Sequence, residues 1–141
     1  MRLFTIRSDP GMIHHCFQLD SSPISVLKIE PDEHSFIAGS WNRTLYQCDL
    51  NSGTVKRQFS CAYHPSQIVQ VAWDPQNPRL FASCSIDGTC NLWDVNAEAP
   101  VSTLSLSKNA SWALDICFSK TRSGTLFVAR KNGSSPLAFN I

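Results

Sequence analysis

Phe81-Ala-Ser-Cys-Ser-Ile-Asp-Gly-Thr-Cys-Asn-Leu-Trp-Asp94 decides how this chain is read. An alternating apolar run meets an Asp-Gly turn, and a second run closes on Trp-Asp. The same pattern stands upstream as Ile37-Ala-Gly-Ser-Trp-Asn-Arg-Thr-Leu-Tyr-Gln-Cys-Asp49 and downstream as Phe127-Val-Ala-Arg-Lys-Asn-Gly-Ser-Ser-Pro-Leu-Ala-Phe-Asn140. The period is about 45 residues, and each copy has an Asn or Asp at its turn. Alternation on both sides of a tight turn is the mark of a β-hairpin, since Asp-Gly and Asn-Gly admit positive φ at both central residues.

Outward from the hairpins the repeat continues. Asp20-Ser-Ser-Pro-Ile-Ser-Val-Leu-Lys-Ile29, His64-Pro-Ser-Gln-Ile-Val-Gln-Val-Ala-Trp73 and Asn109-Ala-Ser-Trp-Ala-Leu-Asp-Ile-Cys-Phe118 align without gaps. Apolar residues recur at three places: Ile24/Ile68/Ala113, Leu27/Val71/Ile116 and Ile29/Trp73/Phe118. Each segment is expected to be an innermost strand, buried on both faces between neighbouring sheets. Glu30-Pro-Asp-Glu-His34 and Asp74-Pro-Gln-Asn-Pro78 follow as turns, with proline presetting φ. Gly53 opens a loop to an outer strand over 54–59, and 1–6 match the end of an earlier hairpin. No apolar stripe of helical period persists beyond two turns, and eight prolines punctuate the runs.

A four-strand unit repeating with a Trp-Asp ending is the signature of a WD-repeat propeller. The expected fold is therefore all-β: a partial WD-repeat β-propeller of about three four-stranded blades plus one strand of a preceding blade. The units are the end of a preceding blade over 1–9, then repeats over 10–51, 52–96 and 97–141. Closed propellers have roughly four to eight blades, so 141 residues make an open arc with unpaired strands. Because its ends fall within a blade and at a strand end rather than at a polar cap, the sequence is expected to be a truncated product or fragment rather than half of a two-chain ring.

Composition narrows the function. Twelve Lys and Arg against eleven Asp and Glu give a net charge of +1, too balanced for nucleic acid or an anionic membrane as the main partner. No stretch approaches the roughly 18 apolar residues that span a bilayer, and Arg7-Ser-Asp-Pro-Gly11 interrupts the apolar opening before a secretory signal forms. Six cysteines offer no C-x-x-C pair and only Cys61-Ala-Tyr-His64 as a C-x-x-H. Without an export signal they are expected to stay reduced and to pack as small apolar side chains, with no disulfide framework and no metal. No phosphate-binding loop, dinucleotide fingerprint or calcium loop occurs, and no cofactor is expected.

The second repeat can supply a hydrogen-bonded set. His64 precedes the inner strand, Ser83 lies on the next, Asp87 is in the turn and Trp93 is on the third strand. Asp87 is expected to accept from His64, whose other nitrogen reaches Ser83, which accepts from the Trp93 indole. A Ser, His and Asp also suggest a hydrolase triad, but no G-x-S-x-G elbow or oxyanion site accompanies them, so the structural role is the expected one. The first and third repeats carry Asp20 and Asn109 at the histidine place and Cys48 and Phe139 at the tryptophan place, so they are expected to rely more on packing.

Trp41, Ile86 and Lys131 each precede the turn residue, and Gln67 and Trp112 enter the inner strand at equivalent places. These five are expected on one rim as a partner-binding surface, because a tryptophan at a hairpin tip has little core to fill.

Ser21-Ser-Pro-Ile-Ser-Val-Leu-Lys28, Gly39-Ser-Trp-Asn-Arg-Thr-Leu-Tyr-Gln-Cys-Asp-Leu-Asn-Ser-Gly53, and Ser111-Trp-Ala-Leu-Asp-Ile-Cys-Phe-Ser119 with Ala129-Arg-Lys-Asn-Gly133 resemble the WD-repeat subunits of fungal SAGA transcription coactivators. The resemblance runs over nearly the whole chain, from Leu3-Phe-Thr-Ile-Arg7 onward. It implies a nuclear, non-enzymatic subunit that engages the TATA-binding protein and other coactivator subunits. Members of that family are longer, with a complete propeller and an acidic N-terminal region. The other reading is a WD-repeat adaptor of a different complex, in RNA processing or ubiquitin-ligase substrate recognition, with the cytoplasm as the alternative location.

Overall fold

The computed structural model describes residues 3–6, 15–59, 61–106, 112–131 and 135–141. The opening pair is β1 (Leu3–Ile6) with β2 (His15–Gln18), and the first blade is β3 (Ile24–Ile29), β4 (Ser35–Ser40), β5 (Leu45–Asp49) and β6 (Val55–Phe59). After a 3₁₀ turn over Cys61–Tyr63 comes the second blade: β7 (Ile68–Trp73), β8 (Leu80–Ser85), β9 (Thr89–Asp94) and β10 (Ser102–Ser105). The third has β11 (Ala113–Phe118), β12 (Thr125–Arg130) and β13 (Leu137–Asn140). Every sheet pairs antiparallel in chain order. The chain is part of an all-β propeller. Each repeat boundary read from the sequence falls one strand before the end of a sheet, so β2, β6 and β10 complete the sheet of the preceding hairpin.

The core lies between the sheets. Phe17 packs with Phe36, Ala38 and Cys48; Ile37, Leu45 and Phe59 of the first blade meet Ile68, Phe81 and Trp93 of the second; Ala82, Cys84 and Leu92 of the second meet Ile116, Leu126 and Val128 of the third. Each blade thus buries its apolar faces against its neighbours.

The inner strands correct one expectation. In β7 only Ile68 and Val71 are buried, and Ile29 of β3 and Leu114 of β11 are each 53% exposed. The second strand is the buried one: every residue of β4 is buried, as are five of six in β8. The reason is position. A second strand has a partner on each edge and a sheet against each face, whereas an inner strand is an edge strand turned toward the axis.

The recurring apolar places also gain an explanation. Ile68 and Val71 stand three apart, which in a regular strand puts them on opposite faces. All three inner strands carry a bulge at this place, between Ile24 and Val26, Ile68 and Gln70, and Ala113 and Asp115. The extra residue returns both apolar side chains to one core.

The hairpin turns differ from expectation too. Only the second residue of each pair is left-handed, Arg43 at φ 74° and Gly88 at φ 86°. The preceding side chain braces the turn, Asn42 Oδ1 accepting from the Thr44 amide at 2.9 Å and Asp87 Oδ1 from the Thr89 amide at 3.0 Å. Asn132-Gly133, the third such pair, lies outside the described residues.

The cysteines are a further correction. The β8–β9 register sets Cys84 opposite Cys90, with their Cα atoms 4.1 Å apart, and the two form a disulfide inside the core shared with the third blade. Pairing across a hairpin sets side by side two thiols that have no motif spacing. Cys48 and Cys117 are free; burial pushes the Cys48 thiol up to about 12 and keeps it protonated.

Candidate functional site

The hydrogen-bonded set forms around Ser83, whose place in the buried middle of β8 leaves its hydroxyl no water to bond. Trp93 Nε1 donates to Ser83 Oγ at 2.8 Å, and Ser83 Oγ lies 2.7 Å from His64 Nε2. Ser83 Oγ accepts from the indole and either donates to Nε2 or accepts from it, according to the histidine tautomer. Burial pushes the His64 pKa down to about 4 against the opposing charge of Asp87, so the ring is neutral at pH 7.

Asp87 does not join the set as expected. Its carboxylate is occupied by its own hairpin: the Ser85 hydroxyl, the Thr89 amide and the Thr89 hydroxyl, the last at 3.2 Å. His64 Nδ1 is left without a hydrogen-bond partner. Asn91 completes the set instead, and sequence reasoning missed it. Its Nδ2 donates to the Tyr63 carbonyl at 2.7 Å and lies 3.3 Å from His64 Nε2, while its Oδ1 accepts from Thr103 Oγ1 at 2.8 Å. Asn91 thereby ties the loop before β7 to β9 and β10. A buried asparagine in an otherwise apolar strand was the available signal.

This arrangement is closed to solvent. Ser83 and His64 are 0% and 1% exposed, and no carboxylate bonds the histidine. Trp93 is wedged against Phe59, Phe81 and Tyr63 at ring-centroid distances of 5.3, 6.2 and 5.8 Å.

The first blade, expected to rely more on packing, has a polar set of its own. Asp20, at the histidine place, accepts from the Tyr46 hydroxyl and from Asn42 Nδ2, both at 2.7 Å. Tyr46 holds the register position of Asn91, and Ala38 that of Ser83. At the corresponding place in the third blade, Asn109 lies outside the described residues.

The five rim residues come together through one repeated backbone bond. Trp41 N donates to the Pro23 carbonyl at 2.9 Å, Ile86 N to Gln67 at 2.9 Å and Lys131 N to Trp112 at 3.0 Å. Each bond joins the hairpin to the loop entering the inner strand, so all five residues share one end of the sheets. Trp41 and Trp112 are 49% and 44% exposed, Ile86 and Gln67 are half-buried, and Lys131 is exposed. Lys131 Nζ stands 3.8 Å from the centre of the Trp112 ring, a cation–π contact that holds the indole upright. Among the described residues no group of His, Cys, Asp and Glu could hold a metal ion, and no helix is long and apolar enough to cross a membrane.

Residues 55–94, from β6 through β9, match the family described as "WD domain, G-beta repeat". Among curated proteins the chain is 29% identical over 109 residues to dynein axonemal intermediate chain 4 of Xenopus laevis, covering 76% of this chain and 13% of that protein. It is 31% identical over 81 residues to ribosome biogenesis protein ytm1 of Schizosaccharomyces pombe, covering 57% and 18%. With ribosome assembly protein rrb1 of the same yeast it shares 28% over 87 residues, covering 61% and 18%. The chain therefore spans 13% to 18% of the length of these relatives. Among solved structures, the β-propeller domain of Cps50 (Swd1) from Myceliophteria thermophila superposes with a TM-score of 0.75 at 15% identity, covering 87% of this chain and 37% of that one.

Proposed function

We propose that this run of WD-repeat blades is a non-enzymatic protein-interaction scaffold whose rim, carrying Trp41, Gln67, Ile86, Trp112 and Lys131, takes the partner. The observation that carries the reading is the pair of half-exposed tryptophans on one end, one of them capped by a lysine. Aromatic side chains with a polar or cationic neighbour supply large contact area at low entropic cost and dominate binding energy. The sealed His64–Ser83–Trp93 set supports a scaffold rather than a hydrolase.

Two assemblies compete. The resemblance of the 21–28, 39–53, 111–119 and 129–133 segments supports a nuclear coactivator subunit acting on the TATA-binding protein. The names of ytm1 and rrb1 support the other reading, an adaptor in ribosome assembly, and the dynein chain supports one outside transcription altogether. Affinity purification of the tagged protein from its own cells decides between them. Recovery of acetyltransferase-complex subunits supports the first, and recovery of ribosome-assembly factors or dynein chains supports the second. In the same experiment Trp41→Ala with Trp112→Ala is expected to weaken recovery of the partner while leaving Tm nearly unchanged. Lower Tm with full recovery shows that these residues serve the fold and not the partner.

A further inference from the structure

At the ends of the inner strands, where β3, β7 and β11 run into the loops beginning at 30, 74 and 119, lies an open cleft of about 300 Å³. Ile29, Trp73, Ile116 and Phe118 line it, with Lys28 on one wall and Lys120 on the other. These residues lie at the opposite strand ends from Trp41 and Trp112, so the cleft is separate from the rim. The second blade holds both lysine backbones in place: Trp73 Nε1 donates to the Lys28 carbonyl at 3.3 Å, and Gln76 Nε2 to the Lys120 carbonyl at 3.0 Å. Trp73 is itself backed by Phe81 at 5.2 Å.

No carboxylate lines the cleft. Three acids near the lining residues in sequence accept hydrogen bonds elsewhere. Glu30 accepts from Ser35 and from Gln47, Asp74 accepts from the Gln76 amide, and Asp115 accepts from Gln70 Nε2 at 2.8 Å. Two exposed lysines therefore border an apolar floor with no carboxylate among the lining residues. We infer that this cleft is a second docking site, fitted to an acidic protein segment that carries an aliphatic or aromatic side chain. The apolar side chain would fill the floor and the flanking carboxylates would meet Lys28 and Lys120.

Fluorescence polarisation with a fluorescein-labelled heptapeptide alternating glutamate and leucine tests this on the whole chain. Expected is saturable binding that weakens with added salt and falls about tenfold in Lys28→Glu/Lys120→Glu. It should be unchanged in Trp41→Ala/Trp112→Ala, which separates this site from the rim. Circular dichroism checks the fold of each variant, and Lys28→Gln/Lys120→Gln, which only removes charge, should give a smaller loss in the same direction. The inference is overturned by no binding to the unaltered chain, by both lysine variants binding as tightly as the unaltered chain, or by equally tight binding of the lysine–leucine peptide. Equally tight binding of a single-stranded RNA oligomer also overturns it, because two lysines would then be acting as a plain cationic surface.

Discussion

In the second blade the loop entering the inner strand is tied to the sheet through His64, neutral and almost wholly buried, whereas the same place in the first blade holds Asp20, partly open to water. The two joints share their geometry. His64 is met by Ser83 and Asn91 from the second and third strands, and Asp20 by Tyr46 from the third strand and Asn42 from the hairpin. They differ in how charge is treated. Asp20 stays half-buried and collects donors; the imidazole in its sealed site gives its charge up. The repeat therefore constrains where a tie is made more tightly than which residues make it. The deeper tie also carries the tryptophan that fills the space between blades.

The pH dependence separates the joints most sharply. A base whose pKa falls from 6.5 to about 4 on folding binds fewer protons folded than unfolded between those values. Its contribution is thus complete above about pH 6.5 and is lost as the pH drops toward 4, by about 3 kcal/mol in all. Urea unfolding at pH 7 and pH 4.5 should show this loss, and His64→Gln should remove most of it. An unchanged slope in that variant assigns the acid sensitivity elsewhere.

Substitution of the aromatic members comes next in size. Trp93→Phe keeps the ring but removes the indole donor to Ser83, for an expected cost of about 1–3 kcal/mol. Tyr46→Phe removes one of several donors to Asp20, which retains Asn42 and solvent, and should cost about 1 kcal/mol or less. Denaturation midpoints compare the two directly, and equal losses would mean that burial of the joint adds nothing.

An effect of similar size tests the seam between these blades. A Cβ on Gly39 would stand 2.7 Å from Ile68 Cγ2 and 2.8 Å from Val26 Cγ1, so the first blade approaches the second on a bare backbone. Cys84 occupies the equivalent place in the second blade, with a side chain accommodated in the core. Gly39→Ala should cost about 1 kcal/mol as the blades part slightly, near the lower end for overpacking. A gain in thermal midpoint would show that the seam has slack.

The fold was legible because its signals are local. Alternation, Asx-bearing turns and a period of about 45 residues each depend on neighbours in the chain, and every blade repeats them. Part of the joint was legible for the same reason: His64, Ser83 and Trp93 stand at fixed offsets within one repeat. Tertiary placement decided the rest. Asp87 has the sequence position to reach His64, yet its hairpin offers nearer donors. Asn91 and Tyr46 looked like ordinary strand residues until pairing with Ser83 and Ala38 set them beneath the entering loop. The Cys84–Cys90 bond follows from cross-strand register, and the exposure of the inner strands from their edge position facing the axis. Composition and spacing thus set the blade and its period, while bond partners and burial came from strand register and from the neighbouring sheet, which depend on contacts between residues far apart in the chain.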